Sequence, residues 1–78
     1  MEHYQSEFQT NLGLMLRMQR KNAGLSQSET AKKLGISRTS YVYYETGKVC
    51  PDLGKVKKIA EVFGVEPSLF FNPEQFID

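Results

Sequence analysis

The sequence predicts an all-α domain of five short helices, on three grounds. Apolar residues recur at spacings of three and four rather than two. Four segments open on a serine or aspartate of the kind that caps a helix N-terminus, at Ser6, Ser26, Ser37 and Asp52. Glycines stand where the same segments should end, at Gly24, Gly35, Gly47 and Gly64, the position a helix C-terminus favours. No convincing strand pattern and no internal repeat interrupts this series.

The first helix is expected over about residues 7–23, where Phe8, Leu12, Met15, Leu16 and Ala23 fall at helical spacing. Ser6 and Gln9 can form a capping box at its start, and Gly24 stops it. Ser26 and Glu29 form a second capping box, opening a helix that passes through Ala31 and Leu34 and ends at Gly35. A helix this short is marginal alone in water, so it must pack on the segment immediately after it. Ser37 caps a third helix, which carries Tyr41 and Tyr44 on one side and ends at Gly47. Asp52 caps a fourth, whose Leu53, Val56, Ile59, Ala60 and Phe63 make one apolar stripe up to Gly64. Pro67 suits the first position of a short fifth helix with Leu69, Phe70 and Phe71. Asn72-Pro73 ends it, leaving Phe76 and Ile77 in a short tail.

At 78 residues the chain has room for one domain, expected to span 1–78. Leu, Ile, Val and Phe supply 20 of those residues, enough for a thin core and too many for a disordered chain. A domain of this size buries only about 60% of its unfolded surface, so dimerisation would add useful stability. No apolar run reaches the roughly 18 residues a membrane span needs, and the N-terminus lacks the pattern of a signal peptide. Cys50 is the sole cysteine and His3 the sole histidine, so neither an internal disulfide nor a self-contained zinc site is expected. The expected protein is soluble, cytoplasmic and free of metal and cofactor. No nucleophile–base pair, no paired carboxylates and no phosphate-cradling glycine loop suggest an enzyme or a small-molecule site.

The net charge of +1 hides a strong asymmetry. Residues 1–16 carry −2 and residues 59–78 carry −4, whereas residues 17–58 hold all ten basic side chains and carry +7. A basic middle in a neutral protein is the footprint of a surface for a polyanion, or else simply a solvated face.

The second and third helices, joined through Gly35 with small Ala31 where they approach, make a helix-turn-helix, closed by Leu34, Ile36 and Tyr41. The second helix of such a pair lies in the DNA major groove. With Tyr41 and Tyr44 inward, Arg38, Thr39, Val42 and Tyr43 face out, with Ser40 at the edge. An arginine there can donate two hydrogen bonds to the O6 and N7 of guanine. Thr39 offers a hydroxyl or a methyl. Arg17, Lys21, Lys33 and Lys48 are candidates for phosphate contacts, which position without specifying sequence. Arg38 has an alternative use as an ion-pair partner of Glu45 or Glu29, and Lys55, Lys57 and Lys58 read as a solvated face.

The runs Leu16-Arg17, Gly24-Leu25-Ser26-Gln27, Ala31 to Tyr41, Tyr44 to Lys48, Pro51-Asp52-Leu53, Lys58-Ile59-Ala60 and Phe63-Gly64-Val65 together resemble the phage-repressor and Cro-like helix-turn-helix family, of the xenobiotic-response-element (XRE) type. The resemblance covers about residues 12–71. It implies a compact five-helix repressor-like domain and base reading by Gln27, Arg38, Thr39 and Tyr43. It also implies that Glu45 and Gly47 sit at the tail of the recognition helix. Ser37, Ser40 and Thr46 join the basic residues as phosphate or edge contacts. The chain departs from the family pattern at Gln19, usually apolar, at the large Tyr41 and at the apolar Val42.

The expected function is a DNA-binding transcriptional regulator of prokaryotic or phage origin at the nucleoid. It would be a repressor that binds a two-fold symmetric operator in double-stranded DNA as a homodimer. Leu69, Phe70, Phe71, Phe76 and Ile77 are the apolar resource for the dimer surface. The alternatives of the same fold are an antitoxin, for which only residues 1–6 and 72–78 remain to bind a toxin, and a restriction–modification controller. A protein-interaction module that no longer reads DNA would carry an acidified recognition surface, against which the +7 middle argues.

Overall fold

A computed structural model describes residues 6–71 and contains α1 (Glu7–Asn22), α2 (Gln27–Leu34), α3 (Arg38–Glu45) and α4 (Leu53–Phe63). No strand occurs among the described residues. Each start follows from its cap. The backbone N–H of Gln9 donates to Ser6 Oγ at 3.0 Å, that of Ser40 to Ser37 Oγ at 3.1 Å and that of Lys55 to Asp52 Oδ1 at 2.8 Å. At α2 the box is reciprocal: Glu29 N–H donates to Ser26 Oγ at 2.9 Å and Ser26 N–H to Glu29 Oε1 at 2.8 Å. That backbone hydrogen bond, with the Ser26 hydroxyl, holds the Glu29 carboxyl below the ordinary carboxylate range.

The expected fifth α-helix is instead a single 3-10 turn, Pro67–Phe70. Its amides bond three residues back, Leu69 to Glu66 and Phe71 to Ser68, both at 3.1 Å. Four residues are too few to close a ladder of i→i−4 bonds, and Pro67 has no N–H to contribute. The turn nevertheless delivers Phe70 to the core.

That core joins Leu12, Met15 and Leu16 of α1 to Ala31 and Leu34 of α2, Tyr41 of α3, and Val56, Ile59, Ala60 and Phe63 of α4. Leu25, Ile36 and Tyr44 pack against it, so the residues expected to close the α2–α3 angle do so. Phe8 and Ala23, assigned to the apolar stripe of α1, lie exposed at its two ends instead. Gln19, at the polar departure in α1, is half-buried and donates to Met15 Sδ at 3.5 Å. Tyr41 is fully buried and meets Tyr44 edge-on, with ring centroids 6.3 Å apart. The larger ring at this inward position is accommodated.

Two features fix α3, the helix the sequence singles out. Gly35, at φ 72°, turns the chain between α2 and α3, and Ile36 N–H closes back on Ala31 O at 3.0 Å. At the other end α1 crosses α3 at backbone contact through Gly13, and Gln9 Nε2 donates to Gly47 O at 3.3 Å.

Candidate nucleic-acid interface

Arg38, Thr39, Ser40 and Tyr43 lie exposed on α3, and Val42 is half-buried. These are the outward positions the sequence assigns. Arg38, Thr39 and Ser40 form the first turn of this helix, whose amides also favour an anion. Lys48 extends this face, its Nζ 4.9 Å from the centroid of the Tyr43 ring. Thr46 is exposed and donates to Tyr43 O at 3.4 Å. Ser37 and Ser40 are exposed and bonded to each other, Oγ to Oγ, at 2.9 Å.

Behind the exposed face runs a chain of polar contacts from the core to the surface. Arg20 and Glu45 are each only 8% exposed. Arg20 Nε donates to Glu45 Oε2 at 2.5 Å and Nη2 to Oε1 at 3.3 Å, while Nη1 donates to the backbone O of Leu25 at 2.8 Å. Gln27 Nε2 donates to Glu45 Oε1 at 3.1 Å, and Arg38 Nη2 donates to Gln27 Oε1 at 3.1 Å. Arg38 therefore pairs with neither Glu45 nor Glu29, the partners that would have neutralised it. Burial by itself would raise the Glu45 carboxyl, but hydrogen bonds led by that from Arg20 outweigh it. The carboxyl stays below the ordinary carboxylate range and is ionised at neutral pH. The same hydrogen bond raises Arg20, and burial pushes the Tyr41 phenol far above its usual range.

The structure thus brings Gln27 and Arg38 into contact and sets Lys48 on Tyr43. Arg17, Lys21 and Lys33 are exposed on α1 and α2, and no hydrogen bond ties them to this cluster. Of the expected dimer residues, Phe71 is 46% exposed and Leu69 is half-buried. Phe70, at 1% exposure, is consumed by the protein's own core and has no surface left for a partner, which corrects its assignment. Phe76 and Ile77 lie outside the described residues.

Sequence reasoning passed over Arg20 and offered Glu45 only Arg38 as a partner, whereas Arg20 holds it. The signal was present: Arg20 follows Leu12 and Leu16 at successive intervals of four, a charge on an apolar stripe, and such a charge must find a partner. Gly13 was also missed, since its reason is a distant backbone, that of Glu45 and Tyr44, which nothing near it in the sequence announces. Among the described residues no cluster of side chains suits a metal ion, and no helix is long and apolar enough to cross a membrane. Cys50 is exposed, with its thiol directed at Pro51 O, 3.7 Å away.

The chain is similar to known proteins over most of this region. The helix-turn-helix family model matches residues 16–70. An uncharacterized HTH-type transcriptional regulator of Archaeoglobus fulgidus is 41% identical over 54 residues, which cover 67% of this chain and 77% of that protein. Among solved structures, the restriction–modification controller protein C.AhdI of Aeromonas hydrophila superposes with a TM-score of 0.75 at 31% identity, covering 80% of this chain and 90% of that one. The c2 repressor of phage P22, solved with a synthetic operator, gives a TM-score of 0.70 at 19% identity over 76% of this chain and 89% of its own, a likeness of fold.

Proposed function

Because the chain belongs to the phage-repressor and Cro-like (XRE-type) helix-turn-helix family and is a DNA-binding transcriptional regulator, we propose that α3 enters the major groove and that Arg38 and Thr39 read base edges there. Tyr43 lies one turn further along the same face. The observation that carries this reading is the state of Arg38. Its charge is unspent, since its bonded partner is a neutral amide while Glu45 is held by Arg20 and Glu29 by its cap. A guanidinium so placed at the start of α3 suits the paired acceptors of guanine.

Lys48, steadied against Tyr43, is assigned to phosphate, with Arg17, Lys21 and Lys33 further out and Ser37, Ser40 and Thr46 at the edges. The protein acts as a homodimer on a two-fold symmetric operator. One small module makes too few base contacts to find a site in a genome, whereas two half-sites about 34 Å apart multiply their affinities. Phe71 and Leu69 are the described apolar residues available for that contact. Occupancy of the operator would exclude polymerase, making the protein a repressor. The likeness to C.AhdI at 31% identity favours, as a second reading, control of a restriction–modification system through the same DNA surface.

Two substitutions test the assignment. Arg38→Ala should cost about 1–3 kcal/mol at one base pair and relax the preference there. Lys48→Ala should weaken binding to all duplexes alike and reduce the slope of log K against log salt by about one. Fluorescence anisotropy on specific and scrambled duplexes across a salt series distinguishes the two. Equal losses on both duplexes for Arg38→Ala would contradict its role.

A further inference from the structure

Val42 is the aliphatic member of the outward face of α3, one turn after Arg38 and three residues after Thr39. It is half-buried, yet it belongs neither to the core nor to the partly buried side chains that pack on it. Its neighbours on that face are engaged in polar contacts. Arg38 donates to Gln27 Oε1 at 3.1 Å, the Tyr43 ring carries the Lys48 ammonium 4.9 Å from its centroid, and Thr46 Oγ1 donates to Tyr43 O at 3.4 Å. The isopropyl group of Val42 can neither donate nor accept. Set against a base amino or carbonyl group, it would strip water and return nothing. The major groove offers one apolar feature instead, the C5 methyl of thymine.

We propose that Val42 is a specificity-determining residue: it packs on the C5 methyl of one thymine in each half-site and so selects a T·A pair close to the guanine read by Arg38. The side chain suits the task because it is short and stiff. A β-branched residue in a helix keeps essentially one χ1 rotamer, so little freedom is lost when the methyl groups meet. The helix geometry also limits where the thymine lies. Four residues of α-helix rise about 6 Å, and one base pair rises about 3.4 Å, so the thymine falls within about two base pairs of the guanine. Cytosine, which lacks the methyl and presents an amino group in the groove, is rejected at that position.

This inference rests on α3 entering the major groove, and replacing thymine by deoxyuridine separates the two. The replacement removes the C5 methyl and leaves every hydrogen-bonding group of the base in place. Fluorescence anisotropy gives dissociation constants for the full chain, Val42→Ala and Thr39→Ser. The duplexes are the one selected by the wild type and derivatives in which each thymine of one half-site is replaced in turn. The wild type should lose about three- to fivefold at one thymine near the Arg38 guanine, the worth of burying one methyl group. Val42→Ala should no longer distinguish thymine from deoxyuridine there, whereas Thr39→Ser, which gives up the other aliphatic methyl of this face, should keep the full loss. Val42 lies outside the core, so alanine leaves the fold intact, which thermal melts verify, and the scan of the wild type needs no variant at all. No loss at any thymine, a loss that persists in Val42→Ala, or one that vanishes in Thr39→Ser would overturn the role of Val42 while leaving α3 in the groove. A wild type that selects no sequence would overturn the groove reading itself, and the role of Val42 with it.

Discussion

Replacing Gly13 with alanine should remove most of the stability of this domain. A Cβ at that position would lie 2.2 Å from the backbone oxygen of Glu45, 2.8 Å from its carbonyl carbon and 3.0 Å from the oxygen of Tyr44. All three atoms are backbone at the end of α3, so no side chain can swing aside. Relief requires α1 and α3 to separate, which opens the core around Leu12, Met15 and Tyr41. The expected cost is about 3 kcal/mol or more, and for a domain of this size that lowers Tm by roughly 12–24 °C. Gly54 supplies the contrast. It lies inside α4, where the nearest atom to an added Cβ is Asp52 Oδ1 at an ordinary 3.5 Å. Gly54→Ala should therefore stabilise by up to about 1 kcal/mol through the entropy of the unfolded chain. Circular-dichroism melts of both variants check the pair, and a rise in Tm for Gly13→Ala would contradict the close crossing of α1 and α3.

The second large effect concerns the buried ion pair. Arg20→Met should destabilise by about 3–5 kcal/mol, because it leaves the Glu45 carboxylate buried without its charged partner. The backbone oxygen of Leu25 loses its arginine donor at the same time. Arg20→Met combined with Glu45→Leu should recover most of that loss, since an apolar pair needs no compensation for lost hydration. The recovered fold would still lack the carboxylate to which Gln27 donates. Urea titrations of both variants give the stabilities. A single variant within about 1 kcal/mol of wild type would mean that Glu45 is hydrated rather than gripped.

These two predictions also mark where the sequence stops being legible. The four α-helices are legible because their determinants are local: a serine or aspartate cap, a helical apolar stripe and a terminal glycine each act within a few residues. The turn at Pro67 reads as an α-helix because a proline and three apolar residues signal a helix start but not its length. Gly13 gives no clear sign, since its reason lies 32 positions away in the backbone of Glu45. The outward face of α3 follows from periodicity once Tyr41 and Tyr44 are set inward, and Arg38, Thr39 and Tyr43 are exposed there. What periodicity cannot supply is the partner of each polar group. The sequence places Gln27 at the start of α2 without the orientation of its amide. That orientation is dictated by a carboxylate from α3 and an arginine from α1, which only the fold brings together.

Whether the exposed face of α3 reads DNA sequence is decided by selection from a random pool of duplexes by the purified protein at about 150 mM salt, where purely electrostatic binding is weakened. The expected product is an inverted repeat whose half-sites lie about one helical turn apart, each containing a guanine whose selection disappears with Arg38→Ala. Binding that enriches no sequence and vanishes as salt rises would contradict it, leaving residues 17–58 as a basic surface without a code.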